Sequence, residues 1–435
     1  QRRRMLLRGR ITLAALVALA VGTTYGILRS CGEDGGETVT LAEALPPVDA
    51  SPPVAPLRLL FDPPVSQGAL EEAGSVAVPE GRSDLRGPLR VEYTLNGDLT
   101  ASIRKVLKRG RVALGHVLVM DPESGALLGY VSTDTERFPP TRPYPAASLV
   151  KVITMAAALD CAPEMVERPC RYVGNKYRLT PGRVDPPRNG HSVSMSRALI
   201  TSNNQCFAQL AVHAVGGPNL LGVIDRFGWL DVPGPGHAQG VITDPGDDSY
   251  ALGRLGSGLG GARITPLHAV SLAAALADGW RAEPHWIRRI SDAGGRELAL
   301  PPQRPPQRVL TSDLARQLRE MLAETTVRGT ARKAFRDRRG RPLLQQVKVA
   351  GKTGSLNGKD PDGRYEWFIG VAPVDRPTIA IAVVSVQAPL YWVSASQIAA
   401  EVLKVIFCPK GVCSPAAAER WEETSPGSEL ARNQG

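Results

Sequence analysis

The sequence is poor in the residues from which metal sites are built. Six cysteines and six histidines are dispersed among 435 residues, and neither a Cys-x-x-Cys pair nor a His-Glu-x-x-His run occurs. Structural zinc sites use closely spaced thiolates and imidazoles, and zinc proteases place two histidines one helical turn apart. We therefore expect neither a metal ion nor another cofactor.

The sequence also has little of the patterning that binds nucleic acid. Aromatic residues make up only 5% of the chain, although its formal net charge is +10. Five arginines stand within the first ten residues, and the others are scattered rather than interleaved with aromatic side chains. A mildly basic surface suits an anionic lipid leaflet or an acidic wall polymer, whereas nucleic-acid sites concentrate charge on one face. No nucleic-acid partner is expected.

A long uncharged apolar run lies near the N-terminus, from residue 11 to residue 28. A helix of that length covers about 27 Å, close to the roughly 30 Å of bilayer hydrocarbon. The arginines before it predict a cytoplasmic tip over 1–10, a single-pass inner-membrane anchor over 11–28, and a periplasmic location for the rest. A cleaved signal peptide is one alternative. A lipoprotein signal at Cys31 is another, which Arg29 disfavours.

Proline is frequent in the segment that follows the apolar run. Pro-Pro pairs begin at Pro46, Pro52 and Pro63, and proline-rich chain extends by about 3.1 Å per residue. We predict a proline-rich stalk over 29–88, with no room in it for a second enzyme. A single large domain is predicted over 89–408, followed by a flexible tail over 409–435.

Hydrophobic periodicity predicts helices in the middle of the large domain and strands toward its ends. We expect helices at 99–108, 146–159, 194–215, 266–278 and 396–407, with one more that Thr311 or Ser312 caps. Strands are expected at 116–120, 126–131, 346–353, 367–372 and 378–386, the first two as a hairpin. This order predicts an α+β fold, with a largely antiparallel sheet flanked by helices and an all-helical subdomain.

Ser148 and Lys151 form the first candidate site. They lie three residues apart at the start of a predicted helix, so their side chains share one helical face. A serine hydroxyl needs a base to become a nucleophile, and a lysine with a lowered pKa can accept its proton. Taken alone, a Ser-x-x-Lys pattern is more often a helix start with a solvated lysine.

Two further groups have the same character. Ser202-Asn203-Asn204 can direct a hydroxyl and an amide into one cleft, although a helix cap is the simpler interpretation. Lys352-Thr353-Gly354-Ser355 ends an apolar strand, where the lysine and threonine can hold a carboxylate and the glycine allows a substrate backbone to approach. The amide N–H groups of Ser355 and Ser148 can together form an oxyanion hole.

The three groups occur in the order Ser-x-x-Lys, Ser-x-Asn, Lys-Thr-Gly, and this combination resembles the penicillin-binding protein and serine β-lactamase superfamily. Other stretches resemble the transpeptidase domain of penicillin-binding proteins in particular. These are Gly258-Leu259-Gly260 followed by Thr265-Pro266-Leu267, the Val327-Arg328-Gly329-Thr330 segment, and Trp367-Phe368-Ile369-Gly370. The resemblance covers about residues 89–407. Ala146-Ala147 replace the family's usual Pro-Gly, and Ser355 replaces a frequent threonine.

The resemblance implies a role for each matching residue. Ser148 would be the acylated nucleophile and Lys151 its general base. Ser202 and Asn204 would assist proton transfer and hold substrate, while Lys352 and Thr353 would bind a terminal carboxylate. The implied ligands are peptidoglycan stem peptides and β-lactams, and the implied partners are other cell-wall synthesis proteins.

The implied reaction is D,D-transpeptidation through an acyl-enzyme that an amine resolves. Resolution by water would instead make the protein a D,D-carboxypeptidase or, on a lactam, a β-lactamase. The sequence has no Glu-x-x-Leu-Asn segment of the kind that activates water in one β-lactamase class. A penicillin-binding sensor or scaffold without catalysis is the alternative from another class.

Two pairs of cysteines are close in sequence and lie beyond the predicted anchor, where disulfides form. We expect disulfides between Cys408 and Cys413 and between Cys161 and Cys170. Cys206 stands in an apolar setting and is expected to be packed as a lone thiol.

Overall fold

The structure, a computed structural model, describes residues 73–76, 84–300, 302–387 and 393–423. Sixteen strands occur in this part of the chain. In chain order they are β1 (Ala73–Val76), β2 (Leu89–Tyr93), β3 (Leu114–Met120), β4 (Leu127–Ser132), β5 (Tyr144–Pro145), β6 (Cys170–Tyr172), β7 (His191–Val193), β8 (Val241–Ile242), β9 (Ala262–Ile264), β10 (Trp280–Arg281), β11 (Ile287–Ser291), β12 (Glu297–Leu298), β13 (Gln307–Arg308), β14 (Ala350–Gly358), β15 (Gly363–Ala372) and β16 (Ile379–Gln387).

The α-helices of the described residues are α1 (Gly97–Arg109), α2 (Val150–Cys161), α3 (Pro163–Glu167), α4 (Met195–Ile200), α5 (Asn204–Leu210), α6 (Gly217–Arg226), α7 (Ser249–Ser257), α8 (Pro266–Ala274), α9 (Ser312–Val327), α10 (Ala395–Phe407) and α11 (Arg420–Glu423). Tighter or wider helical turns lie at Ala147–Leu149, Pro181–Arg183, Ala211–Val215, Pro409–Gly411 and Pro415–Ala418.

The central sheet has five strands in the order β14-β15-β16-β3-β4, and every neighbouring pair is antiparallel. The predicted hairpin is its β3–β4 pair, in which Gly125 has a φ of 80° at the turn. The late strands thus join the early hairpin in one sheet. The predicted α+β fold with a largely antiparallel sheet is confirmed.

Helices cover both faces of this sheet. Its inner strands β3 and β16 are therefore buried along almost their whole length. Side chains alternate between the faces. Trp367 and Ile369 of β15 belong to the core that includes α2 and α8, while Phe368 belongs to the core beneath α1 and α10. The candidate site lies on the first of these two faces.

Helix α2 is the centre of the helical layer on that face. Every residue from Val150 to Leu159 is buried, as expected for a helix that is apolar on all sides. The helix predicted over 194–215 is broken at Ser202, whose φ is 56°. A new helix then begins at Asn204, capped by the side chain of Asn203. A polar Ser-Asn-Asn turn that bonds its own backbone competes with continuous helix, which explains the break.

Described secondary structure continues beyond the range 89–408 at both ends. Strand β1 pairs with β2 inside the range predicted as stalk. At the other end, Ala418 is buried in the core beneath α10, and the indole of Trp421 donates a hydrogen bond to the carbonyl of Ile406. Strand β14 also runs later than the predicted strand 346–353, because its partner β15 continues the ladder as far as Gly358.

The cysteine pairing differs from two predictions, the Cys161–Cys170 bridge and the lone thiol at Cys206, because Cys206 is itself disulfide-bonded. Cys408 and Cys413 form a disulfide as expected. The predicted Cys161–Cys170 bridge is wrong, because Cys170 is bonded to Cys206 across 36 residues. Cys161 is also disulfide-bonded. Strand β6 runs beside α5, so spatial neighbourhood, which sequence distance does not reveal, selects the partner.

Within the described residues no single helix is long and apolar enough to cross a bilayer. The pair Asn204–Val215 and Gly217–Arg226 passes that test only when both parts are taken together, and it is bent by 101°. The predicted anchor at 11–28 lies outside the described residues.

Candidate active site

Ser148 lies in a strained turn that leads directly into α2. The preceding Ala147 has a φ of 49°, a left-handed conformation that disfavours any residue with a Cβ. The indole of Trp367 donates a hydrogen bond of 2.8 Å to the carbonyl of Pro145 and holds the approach to the turn. Glycine, which has no Cβ, would adopt this turn without strain.

Lys151 is completely buried, with its ammonium group surrounded by acceptors. Its Nζ lies 2.9 Å from Ser148 Oγ, 2.7 Å from Asn204 Oδ1 and 2.5 Å from the carbonyl oxygen of Ser257. Burial places the pKa of Lys151 well below that of free lysine, and the charge of Lys352 lowers it further. Loss of the ammonium proton is therefore easier for this side chain than for a lysine in water.

A neutral amine has two N–H donors and one lone pair. The two neighbours other than serine, Asn204 Oδ1 and the Ser257 carbonyl, can only accept hydrogen bonds. When Lys151 is neutral, these two acceptors can take both of its N–H groups, and its lone pair then faces the hydroxyl of Ser148. The amide of Asn204 is oriented for this because its Nδ2 donates to the carbonyl of Tyr177 at 2.8 Å. The arrangement is suited to proton abstraction from serine.

The second motif joins the first and the third. Ser202 is buried in the left-handed turn between α4 and α5, and its Oγ accepts a hydrogen bond of 3.1 Å from Lys352 Nζ. Asn204, two residues later, contacts Lys151. Because the predicted helix is broken here, Ser202 contacts Lys352 and Asn204 contacts Lys151.

Lys352 is the second buried lysine of the cleft. Its Nζ donates to Ser202 and, at 2.9 Å, to the carbonyl of Thr353. Burial lowers the pKa of Lys352 to about 7. The hydroxyl of Thr353, the next residue on the strand, lies 2.6 Å from that of Thr330. Ammonium and hydroxyl groups are donors of the kind that bind a carboxylate.

Gly354 allows this strand to pack against the turn that carries the nucleophile. A Cβ at residue 354 would lie 3.2 Å from the Cβ of Trp367, 3.3 Å from the carbonyl oxygen of Ala146 and 3.3 Å from the Cβ of Ala147. Ser355, the next residue, is exposed. The eight predicted site residues therefore lie close together, where the edge strand β14 meets the turn before α2 and the turn before α5.

Three groups that contact the site residues were not predicted from the sequence: the carbonyls of Ser257 and Tyr177 and the hydroxyl of Thr330. The carbonyls of Ser257 and Tyr177 orient the base, and a backbone carbonyl leaves no signature in a sequence. Thr330 lies within the Val-Arg-Gly-Thr segment that carries part of the family resemblance, and this was the available signal. Tyr177 is half exposed at the rim, with Lys176 Nζ 5.1 Å from its ring centroid.

Comparison with known proteins shows which family the chain belongs to. The family model described as the penicillin binding protein transpeptidase domain matches residues 115–407, more than half of the chain. The chain belongs to this family. The resemblance predicted from the three motifs is thereby confirmed.

Two curated relatives of this family member match a large part of its sequence. The peptidoglycan D,D-transpeptidase PbpA of Mycolicibacterium smegmatis is 27% identical over 252 residues, which are 55% of this chain and 49% of the relative. Stage V sporulation protein D of Bacillus subtilis is 24% identical over 348 residues, 72% of this chain and 51% of the relative. The chain spans about half the length of the curated relatives it matches.

Solved structures extend the comparison to the fold. Penicillin-binding protein A from Mycobacterium tuberculosis, in an imipenem acyl-enzyme complex, superposes with a TM-score of 0.60 at 22% identity. The match covers 72% of this chain and 78% of that chain. The penicillin-binding transpeptidase-like fold is thus established independently of the motifs.

Proposed function

We propose that this protein is a serine D,D-transpeptidase that crosslinks peptidoglycan stem peptides through an acyl-enzyme on Ser148. One observation carries the proposal: the buried amine of Lys151 lies 2.9 Å from the hydroxyl of Ser148 and also contacts Asn204 and the carbonyl of Ser257. The relative named PbpA is a peptidoglycan D,D-transpeptidase. A homologue of known structure forms an acyl-enzyme with imipenem, which supports covalent binding of β-lactams by the same site here.

Acylation begins when Ser148 Oγ attacks the carbonyl carbon of the penultimate D-alanine. Its proton moves to Nζ of Lys151, and the developing oxyanion is held by the N–H groups of Ser148 and Ser355. Collapse of the tetrahedral intermediate breaks the C–N bond. Lys151 returns the proton to the leaving nitrogen, directly or through Ser202, and the last D-alanine departs with its carboxylate.

Substrate capture depends on the opposite wall of the cleft. Lys352 and Thr353 bind the terminal carboxylate, which places the scissile carbonyl over Ser148. The carboxylate of a penicillin takes the same position, and its strained lactam amide takes that of the peptide bond. An amine of a second stem peptide then attacks the ester carbonyl and restores the serine hydroxyl.

We further propose that the protein works at the outer surface of the inner membrane. The motivation is the uncharged run at 11–28 behind five arginines. Fractionation with N-terminal sequencing tests the anchor. A mature protein that starts after residue 28 and is found in the soluble periplasmic fraction would contradict it.

The reaction itself is tested with a disaccharide-pentapeptide polymer and the chain 1–435. We expect crosslinked dimers and free D-alanine, analysed by chromatography and mass spectrometry, and neither product from Ser148→Ala. Shortened monomers alone would assign the protein as a carboxypeptidase. Labelling by a fluorescent penicillin without turnover of the polymer would favour a sensor or scaffold.

A further inference from the structure

The segment between α9 and β14 carries a concentration of positive charge. Residues 332–348 contain seven lysines and arginines but a single acid, Asp337. The expectation that the arginines beyond the N-terminal tip are scattered is therefore wrong for this segment. Asp337 is already bonded within its own turn, where its carboxylate accepts from the backbone N–H groups of Arg339 and Arg341 and pairs with the Arg341 side chain at 2.9 Å.

Several of these cations remain available to a partner. Lys333, Arg338, Arg339 and Lys348 are exposed. In the described part of the chain, none of the four has a carboxylate within 4.0 Å. Like charges held together without counter-charges repel one another, and this repulsion is relieved when an anionic surface approaches.

The segment is held firmly on the face of the sheet opposite the nucleophile. The ring of Phe335 lies 5.4 Å from that of Phe368, centroid to centroid. Phe335, Leu344 and Val347 belong to the core beneath α1 and α10, whereas Leu149 beside the nucleophile belongs to the other core. The charged side chains are thus displayed on the back of the domain.

A rigid apolar tip adjoins these charges. The Cys408–Cys413 disulfide closes a short loop in which Val412 is 69% exposed and Lys410 is exposed. Cys413 Sγ lies 3.9 Å from the carbonyl of Leu343. A groove of about 530 Å³ separates the loop from the basic segment, and its lining includes Arg341, Leu343, Lys404, Gly411 and Cys413.

We propose that this surface, made of residues 332–348 and the 408–413 loop, docks on an anionic lipid bilayer. Headgroup phosphates match the cations, and the acyl region just beneath them accommodates an exposed aliphatic tip. A soluble polyanion would match the charges but would leave Val412 in water. Because the docking surface and Ser148 lie on opposite faces of the sheet, the docked domain presents its cleft away from the lipid. The inference stands apart from the proposed reaction.

Lysine footprinting tests the docking on the intact chain. Chain 1–435 is mixed with nanodiscs of phosphatidylcholine, alone or with phosphatidylglycerol, and treated briefly with an amine-acetylating reagent. Mass spectrometry should show acetylation of Lys333, Lys348 and Lys410 several-fold slower on the anionic nanodiscs. Lys359, an exposed residue of the β14–β15 turn, is the internal control and should be modified equally on both.

A charge-reversal variant makes the test specific. Lys333→Glu/Arg338→Glu/Arg339→Glu should abolish the protection at Lys348 and Lys410, since each basic side chain near an anionic surface changes binding by roughly fivefold. The matched control, Arg188→Glu/Arg288→Glu/Lys359→Glu, changes net charge equally on other exposed sites and should keep the protection. Labelling by penicillin verifies that both variants retain the wild-type fold, and we expect it to be unchanged.

Two outcomes would overturn the docking proposal. One is equal acetylation of the three lysines on neutral and anionic nanodiscs. The other is equal protection by inorganic polyphosphate with neutral nanodiscs, which would assign the surface to soluble polyanions. Loss of penicillin labelling in the wild-type chain would count against the proposed reaction only.

Discussion

At the scale of single residues, the site contains two lysines that are both buried but differ in their hydrogen-bond partners. Lys151 is surrounded by acceptors that orient its lone pair, whereas Lys352 retains a donor for an incoming carboxylate. Both pKa values are lowered by burial. Loss of a proton suits the proposed role of Lys151 as a base, whereas Lys352 can bind a carboxylate only while it is protonated.

Substitution of the base should separate chemistry from folding. We expect Lys151→Ala to slow acylation by a fluorescent penicillin about 10²–10⁴-fold, the usual cost of a lost general base. Lys151→Met, which fills the same volume, should be as slow, while Ser148→Ala should not be labelled at all. Stopped-flow fluorescence gives the rates, and unfolding curves verify the fold. Undiminished labelling of Ser148→Ala would place the nucleophile elsewhere.

The pKa of Lys352, about 7, predicts a pH dependence of carboxylate capture. As pH rises above neutrality the ammonium loses its proton, so the second-order acylation rate for a penicillin should fall relative to that for its methyl ester. The effect of Lys151 titration is common to both compounds and cancels in their ratio. A ratio that stays constant from pH 6 to pH 9 would contradict this role of Lys352.

At the scale of elements, the end of α7 supports the turn that carries the nucleophile. Gly258 follows α7 with a φ of 71°, and a Cβ there would lie 2.0 Å from the carbonyl oxygen of Ala147. We expect Gly258→Ala to displace this turn and slow acylation at least about tenfold, at a cost in folding stability of about 1–3 kcal/mol.

Gly260→Ala is the matched control for that prediction. A Cβ at residue 260 would meet only the end of the Arg254 side chain, at 2.8 Å, and a flexible guanidinium can move aside. Its acylation rate and unfolding midpoint should stay near those of the wild type. Equal effects of the two substitutions would show that contact with Ala147 is not what matters.

The Cys170–Cys206 and Cys408–Cys413 disulfides should stabilise the domain unequally. The Cys170–Cys206 bridge closes 36 residues and links β6 to the helix that carries Asn204, while Cys408–Cys413 closes five. Chain entropy predicts a loss of about 4 kcal/mol for the Cys170→Ala/Cys206→Ala variant and about 2 kcal/mol for the Cys408→Ala/Cys413→Ala variant. Denaturant unfolding measures both. The reverse order would indicate that native packing, not loop closure, dominates.

At the scale of the whole molecule, the two covered faces of the sheet separate two tasks. The core that holds α2 and α8 positions the reacting groups, and the core beneath α1 and α10 carries the basic surface. The aliphatic carbons of the two buried lysines add apolar contacts to the first core. Burial of their charged amino groups costs free energy of folding.

Burial of a protonatable lysine should appear in the pH dependence of global stability. Below pH 7 the folded and unfolded states both carry the Lys352 proton, and the fold bears its burial cost. Between about 7 and 10.5 only the unfolded state binds the proton, so the free energy of unfolding should rise by up to about 1.4 kcal/mol per pH unit from this group. Above both values the contribution is constant.

Lys352→Met isolates this contribution to stability. The variant should be more stable than the wild type at neutral pH, and its free energy of unfolding should lack the additional rise toward pH 10. Denaturant titrations at several pH values provide the comparison. Parallel pH curves for the two proteins would show that burial does not depress the pKa of Lys352.

Sequence patterns were sufficient where the determinants are local. The β3–β4 hairpin follows from turn residues between apolar runs, and the cap of α9 follows from Thr311, whose hydroxyl accepts from the N–H of Leu314. They failed at 194–215, where apolar periodicity continues through a turn that only the φ of Ser202 reveals. They also failed at Cys170, because disulfide choice depends on which elements pack side by side.

The sequence by itself determined the family and the order of the elements, and it supplied the side chains that are proposed to react, since motif spacing and periodicity are properties of neighbouring residues. Only the tertiary structure decided that the amine of Lys151 is buried with a lowered pKa, and that the carbonyl of Ser257, 106 residues away, and the amide of Asn204, 53 residues away, accept hydrogen bonds from it. It alone also joined residues 332–348 to the 408–413 loop. Long-range packing sets burial, and burial sets the chemistry of these groups.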